Sequence, residues 1–401
     1  MSCNSLIAGA IGLTLLALAP SPSVAQFAND VLRVGVLTDE SGPYADSAGP
    51  GSILAARMAV ADFGGSVKGH RIEIVDADTQ NKPDTAAGIA RRWFDTEGVS
   101  AIVDLPVTPV AFAVQDVAKQ KNHNVMITAS AASEFTSKAC SAVSTHWADD
   151  THALAAGTAQ ALSEGGGKSW FFITVDIAFG SALQREATTV IEKAGGKVLG
   201  SVKHPVGASD FSSLLLQAQA SGADIIGLAS VGGDLVNLLK TAGEFGIGRD
   251  GRQSLAGFLV YIDDVNALGL ETAKELYVTS GFYWDQNDQS RAFARRFFEA
   301  RKMMPSKDQA EVYTAVKHYL QAVDAAGTDE AKAVNAAMIS APVDYFGRPE
   351  TIRADGRALY DLTLYRVKTP QESRAPWDDY QPVRTIPAAE AFLPASEACR
   401  F

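Results

Sequence analysis

The sequence predicts an α/β protein of two doubly wound lobes, joined by three crossovers, with a ligand cleft between them. Three observations lead there. From Val31 onward, apolar strand-like runs alternate with helical segments, the pattern of parallel sheets covered by helices on both faces. The alternation breaks at Ser130–Asp150, a stretch rich in Ser, Ala and Thr, and then restarts. Beyond Asp285, helices follow one another without strands between them. That fits a chain returning to the outside of the first sheet. The 401 residues also exceed what one compact core holds.

The elements read in order as follows. Strand 31–37 runs into the loop Thr38–Ser47, which carries Tyr44 at its tip. Helical apolar spacing follows at Ile53, Leu54, Ala56, Met58 and Val60. Strand 71–77, helix 84–95, strand 100–104, helix 109–120 and strand 124–129 complete the first series. The second series has helix 151–163, strand 169–175, helix 180–194, strand 197–202 and helix 210–220. Strand 223–229, helix 233–245 and strands 254–259 and 276–282 follow. Helices 290–303, 308–326 and 329–339 carry apolar faces such as Phe293, Phe297 and Phe298. Short strands 351–354 and 360–367 are expected to close on the second lobe, and the Pro-rich tail 368–401 to be irregular. The first lobe is thus expected over 26–147 plus 285–345, and the second over 148–284 plus 346–401 with the tail.

Composition narrows the function classes. The chain is 47% hydrophobic and 20% charged, with a formal net charge of −11. It shows no clustered Lys and Arg, which argues against nucleic acid as a partner. Leu6–Ala19 is apolar and uncharged, and Ser23-Val24-Ala25 is a small-x-small cleavage signal. Residues 1–25 therefore read as a secretory signal peptide, although residues 1–5 lack the usual Lys or Arg. The mature chain is expected in the periplasm. Of three cysteines, Cys3 leaves with that segment and sits in no lipidation box. In an oxidising compartment a Cys140–Cys399 disulfide is the simplest outcome, two unpaired thiols being the alternative. Closing so long a loop is worth roughly 4–5 kcal/mol in the chain-entropy model.

Catalytic and cofactor motifs are weak. Gly165-Gly166-Gly167-Lys168-Ser169 lacks the first glycine of a phosphate loop (Leu162 stands there) and runs from helix to strand, the wrong order. Leu228-Ala229-Ser230-Val231-Gly232 lacks the first glycine of a nucleophile elbow, and no histidine lies in a partner motif. No dinucleotide fingerprint follows a strand. His146 and His152 are too far apart for one helix face, so no metal site and no cofactor are expected. What remains is a set of strand ends bearing hydroxyl, acidic or aromatic residues. They are Leu105–Thr108, Ala129–Ser133, Asp176–Gly180, Gly232-Gly233-Asp234, Tyr261-Ile262-Asp263 and Tyr283-Trp284. In open α/β sheets ligands sit beyond such ends, and a helix N-terminus there binds a carboxylate without a cationic side chain.

Gly42-Pro43-Tyr44-Ala45, Gly49, Ala55-Ala56 and Ala59-Val60 resemble the opening of periplasmic solute-binding proteins of the leucine/isoleucine/valine-binding type. So do Gly64-Gly65, Lys68–Glu73, Asp76 and Asp78, and Phe179-Gly180 matches that family's aromatic-Gly step. The resemblance spans about residues 31 to 365. It implies a type I periplasmic binding fold and a non-enzymatic, monomeric protein that delivers a small carboxylate to a membrane ABC permease. By position, it implies that Thr108 binds the ligand carboxylate and that the Ser130 and Ala132 loop supplies backbone contacts. Tyr44 and Phe179 would form walls, and Asp263 would lie near a ligand amino group. Asp234 joins this set from its strand end. Ala132 replaces the family's common Thr. His146-Trp147 with Lys138-Ala139-Cys140, and Phe282–Asp285, resemble the branch that takes aromatic acids, which adds Trp147 and Tyr283 to the expected site. Aromatic walls favour flat apolar ligands. The expected ligand is an aromatic or aliphatic acid before a branched-chain amino acid. The alternatives are a secreted hydrolase using Ser230 and a ligand-sensing domain that signals to a partner.

Overall fold

Two parallel sheets, each sandwiched by helices, carry the chain. The computed structural model describes residues 27–248, 253–274 and 276–399. The expected signal peptide lies outside these residues. Among the described residues no helix is long and apolar enough to cross a membrane.

The first sheet has six strands, ordered Ser66–Val67, His70–Asp78, Val31–Thr38, Val99–Asp104, Asn124–Ile127 and Ser144–His146. All neighbours are parallel except the first pair. Side chains alternate across the pleat. Leu32, Val34 and Val36 meet helices Gly49–Phe63 and Lys307–Ala326 on one face. Leu37, Ile102, Val125 and Ile127 meet Pro83–Arg92 and Thr108–Lys121 on the other. Both faces are buried, which is why these strands read as continuous apolar runs. The helix Lys307–Ala326, late in the chain, packs on the early helix Gly49–Phe63.

The second sheet is parallel throughout, ordered Ser254–Gly257, Ile225–Ala229, Ser169–Val175 and Lys197–His204. Trp170 and Phe172 pack under Thr151–Glu164 and Ala178–Lys193. Ile173, Ile226 and Leu228 pack under Ser212–Ala220 and Gly232–Glu244.

Two small antiparallel sheets differ from the sequence expectation. Tyr277–Ser280 does not extend the second sheet. It pairs with Leu362–Val367, which pairs in turn with Tyr380–Ile386 from the tail expected to be irregular. Tyr380–Ile386 is an edge strand, and Pro382 sits opposite Tyr365 at a register shift. An edge and a bulge are where a strand tolerates proline, so the proline disguised the strand. Arg348–Ile352, expected on the second lobe, lies in a hairpin with Val343–Tyr345 and Ala358–Leu359. Arg357 bridges this hairpin to His146 on the edge of the first sheet. Tyr345, Ile352 and Ala358 join the first sheet's core. Strands this short carry no pattern that chooses between two sheets. Cys140 and Cys399 form a disulfide, with Cα atoms 5.8 Å apart.

Helix Pro83–Arg92 passes into a wide π turn, Trp93–Glu97. Trp93 lies flat against the central strand at Gly35, where an added β carbon would sit 2.3 Å from the indole ring. Gly35→Ala should therefore destabilise the fold by about 1–3 kcal/mol, the usual cost of overpacking a filled core. Urea unfolding measures this. The double change Gly35→Ala with Trp93→Leu should recover part of the loss.

Candidate ligand-binding cleft

The loop after the first strand is organised by Asp39, a residue the sequence reading passed over. Its Oδ1 accepts the Gly42 N–H at 2.8 Å. Its Oδ2 accepts the Tyr44 N–H at 2.9 Å and the Asn81 side-chain amide at 2.9 Å. Thr38 Oγ1 accepts the Gly49 N–H at 2.9 Å, closing the loop onto the following helix. Tyr44 is thereby fixed in place and buried. From the other lobe Gly232, at φ +60°, meets it closely. A β carbon there would lie 3.0 Å from the Pro43 carbonyl oxygen and 3.3 Å from the Tyr44 ring.

The end of strand Val99–Asp104 is strained. Asp104 and Leu105 have φ of +91° and +69°, a region that costs non-glycine residues about 1–3 kcal/mol each. The Leu105 N–H donates to the Leu37 carbonyl at 3.1 Å. The Leu105 carbonyl accepts the Ser130 hydroxyl at 2.5 Å. This kinked segment delivers Thr108 as the first residue of helix Thr108–Lys121. Burial pushes the Asp104 carboxyl up to about 7.

Between the lobes lies a cavity of about 400 Å³, its mouth included. Tyr44, Ser47, Val107, Thr108, Ala131 and Asp308 line it from the first lobe, and Ile177, Phe179, Val231, Leu259 and Tyr261 from the second. Five helices of ten residues or more begin within two residues of this lining. Their N-terminal N–H groups lack intrahelical partners, and their dipoles present partial positive charge. Among the described residues no lysine or arginine lines the wall. Such a site suits an anionic group on an otherwise apolar molecule.

Of the residues expected here, Tyr44, Thr108 and Phe179 line this cavity. The others are placed elsewhere. The Ser130 hydroxyl is spent on Leu105, and the Ser130 carbonyl lies 2.8 Å from His146 Nε2. Ala132 packs into the outer core with Leu105 and Phe135, while Ala131 takes the wall position. Trp147 is fully buried. Its indole N–H donates to Thr145 Oγ1 at 2.9 Å, and its ring meets His318 edge-on. Asp234 accepts the Gly207 N–H at 2.9 Å. Tyr283 donates to the Trp377 carbonyl at 3.2 Å and faces a neighbouring crevice with Trp284, Lys307 and Tyr380. Asp263 is absent from the wall. A strand end marks the rim, but the side-chain period decides what faces inward, and a one-residue error reverses it. Tyr261, expected only as part of a strand end beside Asp263, and Asp308, which the sequence did not single out, meet inside. The Tyr261 hydroxyl donates to Asp308 Oδ2 at 2.7 Å. Burial holds Asp308 well above the usual carboxylate range. It pushes the Tyr44 hydroxyl up to about 12, helped by Asp234 and Asp39. Among the described residues no group of three or more His, Cys, Asp or Glu could hold a metal ion.

The model of one family, periplasmic binding protein, matches residues 31–374. This chain belongs to the periplasmic binding protein family. It is similar to a crystal structure of a periplasmic binding protein from Burkholderia mallei, at 46% identity over 91% of this chain and 96% of that one, with a TM-score of 0.88. It is similar to a branched chain amino acid ABC transporter periplasmic ligand-binding protein from Burkholderia xenovorans, at 35% identity. That match covers 92% of this chain and all of the other, with a TM-score of 0.81. A Leu/Ile/Val-binding protein homolog from Brucella melitensis shares 27% identity over 81% of this chain and 84% of its own length.

In this periplasmic binding protein the lobes also meet at the cleft rim. The Ser133 hydroxyl donates to Glu186 Oε1 at 2.7 Å, and Arg185 lies 3.3 Å from Glu134. Burial pushes the Glu186 carboxyl up to about 7 from an ordinary 4.5. A raised value means that the folded state holds the proton more tightly than the unfolded chain. The stabilisation is complete below about pH 4.5 and is lost as pH rises through about 7. Melting temperature should therefore fall between pH 5 and pH 8. Glu186→Gln, which keeps the acceptor for Ser133, should stabilise the fold at pH 8, by an amount on the order of 2 kcal/mol, and leave stability nearly unchanged at pH 5. Scanning calorimetry at the two pH values checks this.

Proposed function

We propose that this protein is the substrate-capturing component of an ABC importer. It works in the periplasm as a monomer after its leader is removed, carries a small carboxylate to a membrane permease, and catalyses no reaction on it. One observation carries the reading: an apolar, aromatic-walled cavity onto which five helix N-termini converge without a cationic side chain. Thr108 and the free N–H groups at its helix start take the carboxylate. Tyr44 and Phe179 cover a flat or branched apolar body, as an aromatic acid or a branched-chain amino acid has. The named relatives that bind branched-chain amino acids, or are homologues of proteins that do, fit the same class. Burial of ligand surface contributes roughly 25 cal/mol/Å² before ordering costs.

The lobes hinge at three connections, around 147–150, 281–285 and 359–361, and ligand contacts on both walls favour the closed form. A hydrolase reading finds no support. The Ser230 hydroxyl is buried and without a hydrogen-bond partner, so no base activates it. A sensing role would use this same cleft, and no observation favours it.

A thermal-shift screen of the chain from residue 26 against amino acids, aromatic acids and short branched acids should find at least one stabilising carboxylate. Thr108→Val should weaken that carboxylate about tenfold or more, since a hydrogen bond to a charged group is worth about 1.5–3 kcal/mol. Unchanged affinity removes Thr108 from the site. A full screen without a stabiliser contradicts the proposal.

A further inference from the structure

Asp104 ends the strand that leads to Thr108, and it is wholly buried. Neither of its carboxylate oxygens makes a hydrogen bond. Its backbone is held at φ +91° and that of Leu105 at +69°. Strain of this kind persists where the surroundings over-determine it, and it clusters at binding sites. Thr38 ends the first strand, and Ser52 stands in the first turn of helix Gly49–Phe63. Their hydroxyls offset part of the burial without closing a hydrogen bond. Among the described residues, the charged groups that reach Asp104 are both acids. They are Asp39, in the loop after the first strand, and Asp308, in the first turn of helix Lys307–Ala326. The cation beside Asp308 is committed elsewhere: Lys307 Nζ lies 2.7 Å from Asp149 Oδ2. A carboxyl so placed has no partner for a negative charge, and burial pushes it up to about 7 from an ordinary 3.8.

We propose that Asp104 is a positioning residue of the carboxylate site that works as a neutral acid, so that the protein takes up a proton from solvent as it takes up an anionic ligand. This rests on the reading of the cavity as a carboxylate site and adds its coupling to protons. Helices Gly49–Phe63, Thr108–Lys121 and Lys307–Ala326 all start at this place. Their partial positive charge serves Asp104 and a ligand carboxylate alike. The ligand also has the donors at Thr108, so it keeps the charge and Asp104 keeps the proton. Protonated, Asp104 carries a hydrogen that the Ser52 hydroxyl, otherwise without a partner, can accept. A bound anion disfavours ionisation of Asp104 by the same like-charge effect as Asp39. Affinity is therefore full below about pH 7 and falls as pH rises through that value.

Calorimetric titration of the chain from residue 26 with benzoate, 4-hydroxybenzoate, 4-methylpentanoate and leucine tests this. Their carboxylates stay ionised between pH 6 and pH 8. An acid that binds should do so about fivefold to tenfold more tightly at pH 6 than at pH 8. Its enthalpy in phosphate against Tris at pH 7.5 should report uptake of about half a proton. Asp104→Asn keeps the side-chain shape and tolerates a positive φ. It should bind within about twofold at the two pH values and take up no proton. Ser52→Ala removes a hydroxyl that eases ionisation of Asp104. It should move the fall in affinity to higher pH, and it serves if Asp104→Asn fails to fold. Three results overturn the assignment while the carboxylate site stands: affinity independent of pH in the parent chain, a fall that persists in Asp104→Asn, or one that Ser52→Ala does not move. Absence of binding by every acid overturns both.

Discussion

The three connections between the lobes converge on one buried carboxylate. Asp149 lies on the first connection, and its side chain is wholly inaccessible. Its Oδ2 accepts Lys307 Nζ at 2.7 Å and the Gly281 N–H, on the second connection, at 3.2 Å. Its Oδ1 accepts the hydroxyl of Tyr360, on the third, at 3.0 Å. The Trp147 carbonyl lies against the same hydroxyl and shares its one hydrogen with Asp149. Arg357 completes the knot, with Nη1 3.1 Å from His146 Nδ1 and Nη2 donating to the Trp147 carbonyl at 2.9 Å. A buried ion pair adds little net stability but is expensive to break at one end. The three connections therefore keep one arrangement at their junction.

The cleft follows from that constraint and from sheet topology. Parallel strands feed helices that all start on the same side, so two such sheets facing one another across a hinge bring helix N-termini together. The chain adds local strain at Asp104 and Leu105, a loop fastened by Asp39, and the Tyr261–Asp308 contact between lobes. Several acids in this region are buried, and holding their carboxyls away from water is costly. A ligand with apolar bulk and well-placed polar groups offsets it.

Much of the architecture was legible because its strands are buried on both faces. Ile225–Ala229 and Ser169–Val175 are apolar runs, and the helix starting at Thr151 is announced by Asp150, whose side chain accepts the Ala153 N–H. Ser144–His146, with three residues, is too short to show a period. The tail strand hid behind Pro382, and the hairpin around Arg348 could not be assigned to a sheet from its own residues. For the cleft, Tyr44, Thr108 and Phe179 could be read from their places at strand ends. The loop expected to supply backbone contacts lines the cavity through Ala129 and Ala131 rather than through the side chains of Ser130 and Ala132, a facing that the loop Thr128–Ser133 does not display in sequence. Asp308 was invisible for another reason. It is 200 residues from Thr108 and begins a helix whose apolar face advertised only packing.

A crystal structure with the most stabilising carboxylate bound tests the account most directly. The account predicts ligand density between Tyr44 and Phe179, with the carboxylate within hydrogen-bonding distance of the Thr108 hydroxyl and the N-terminus of its helix. A ligand seated elsewhere, such as the space under the tail beside Arg353 and Leu393, or a carboxylate turned away from Thr108, would contradict it.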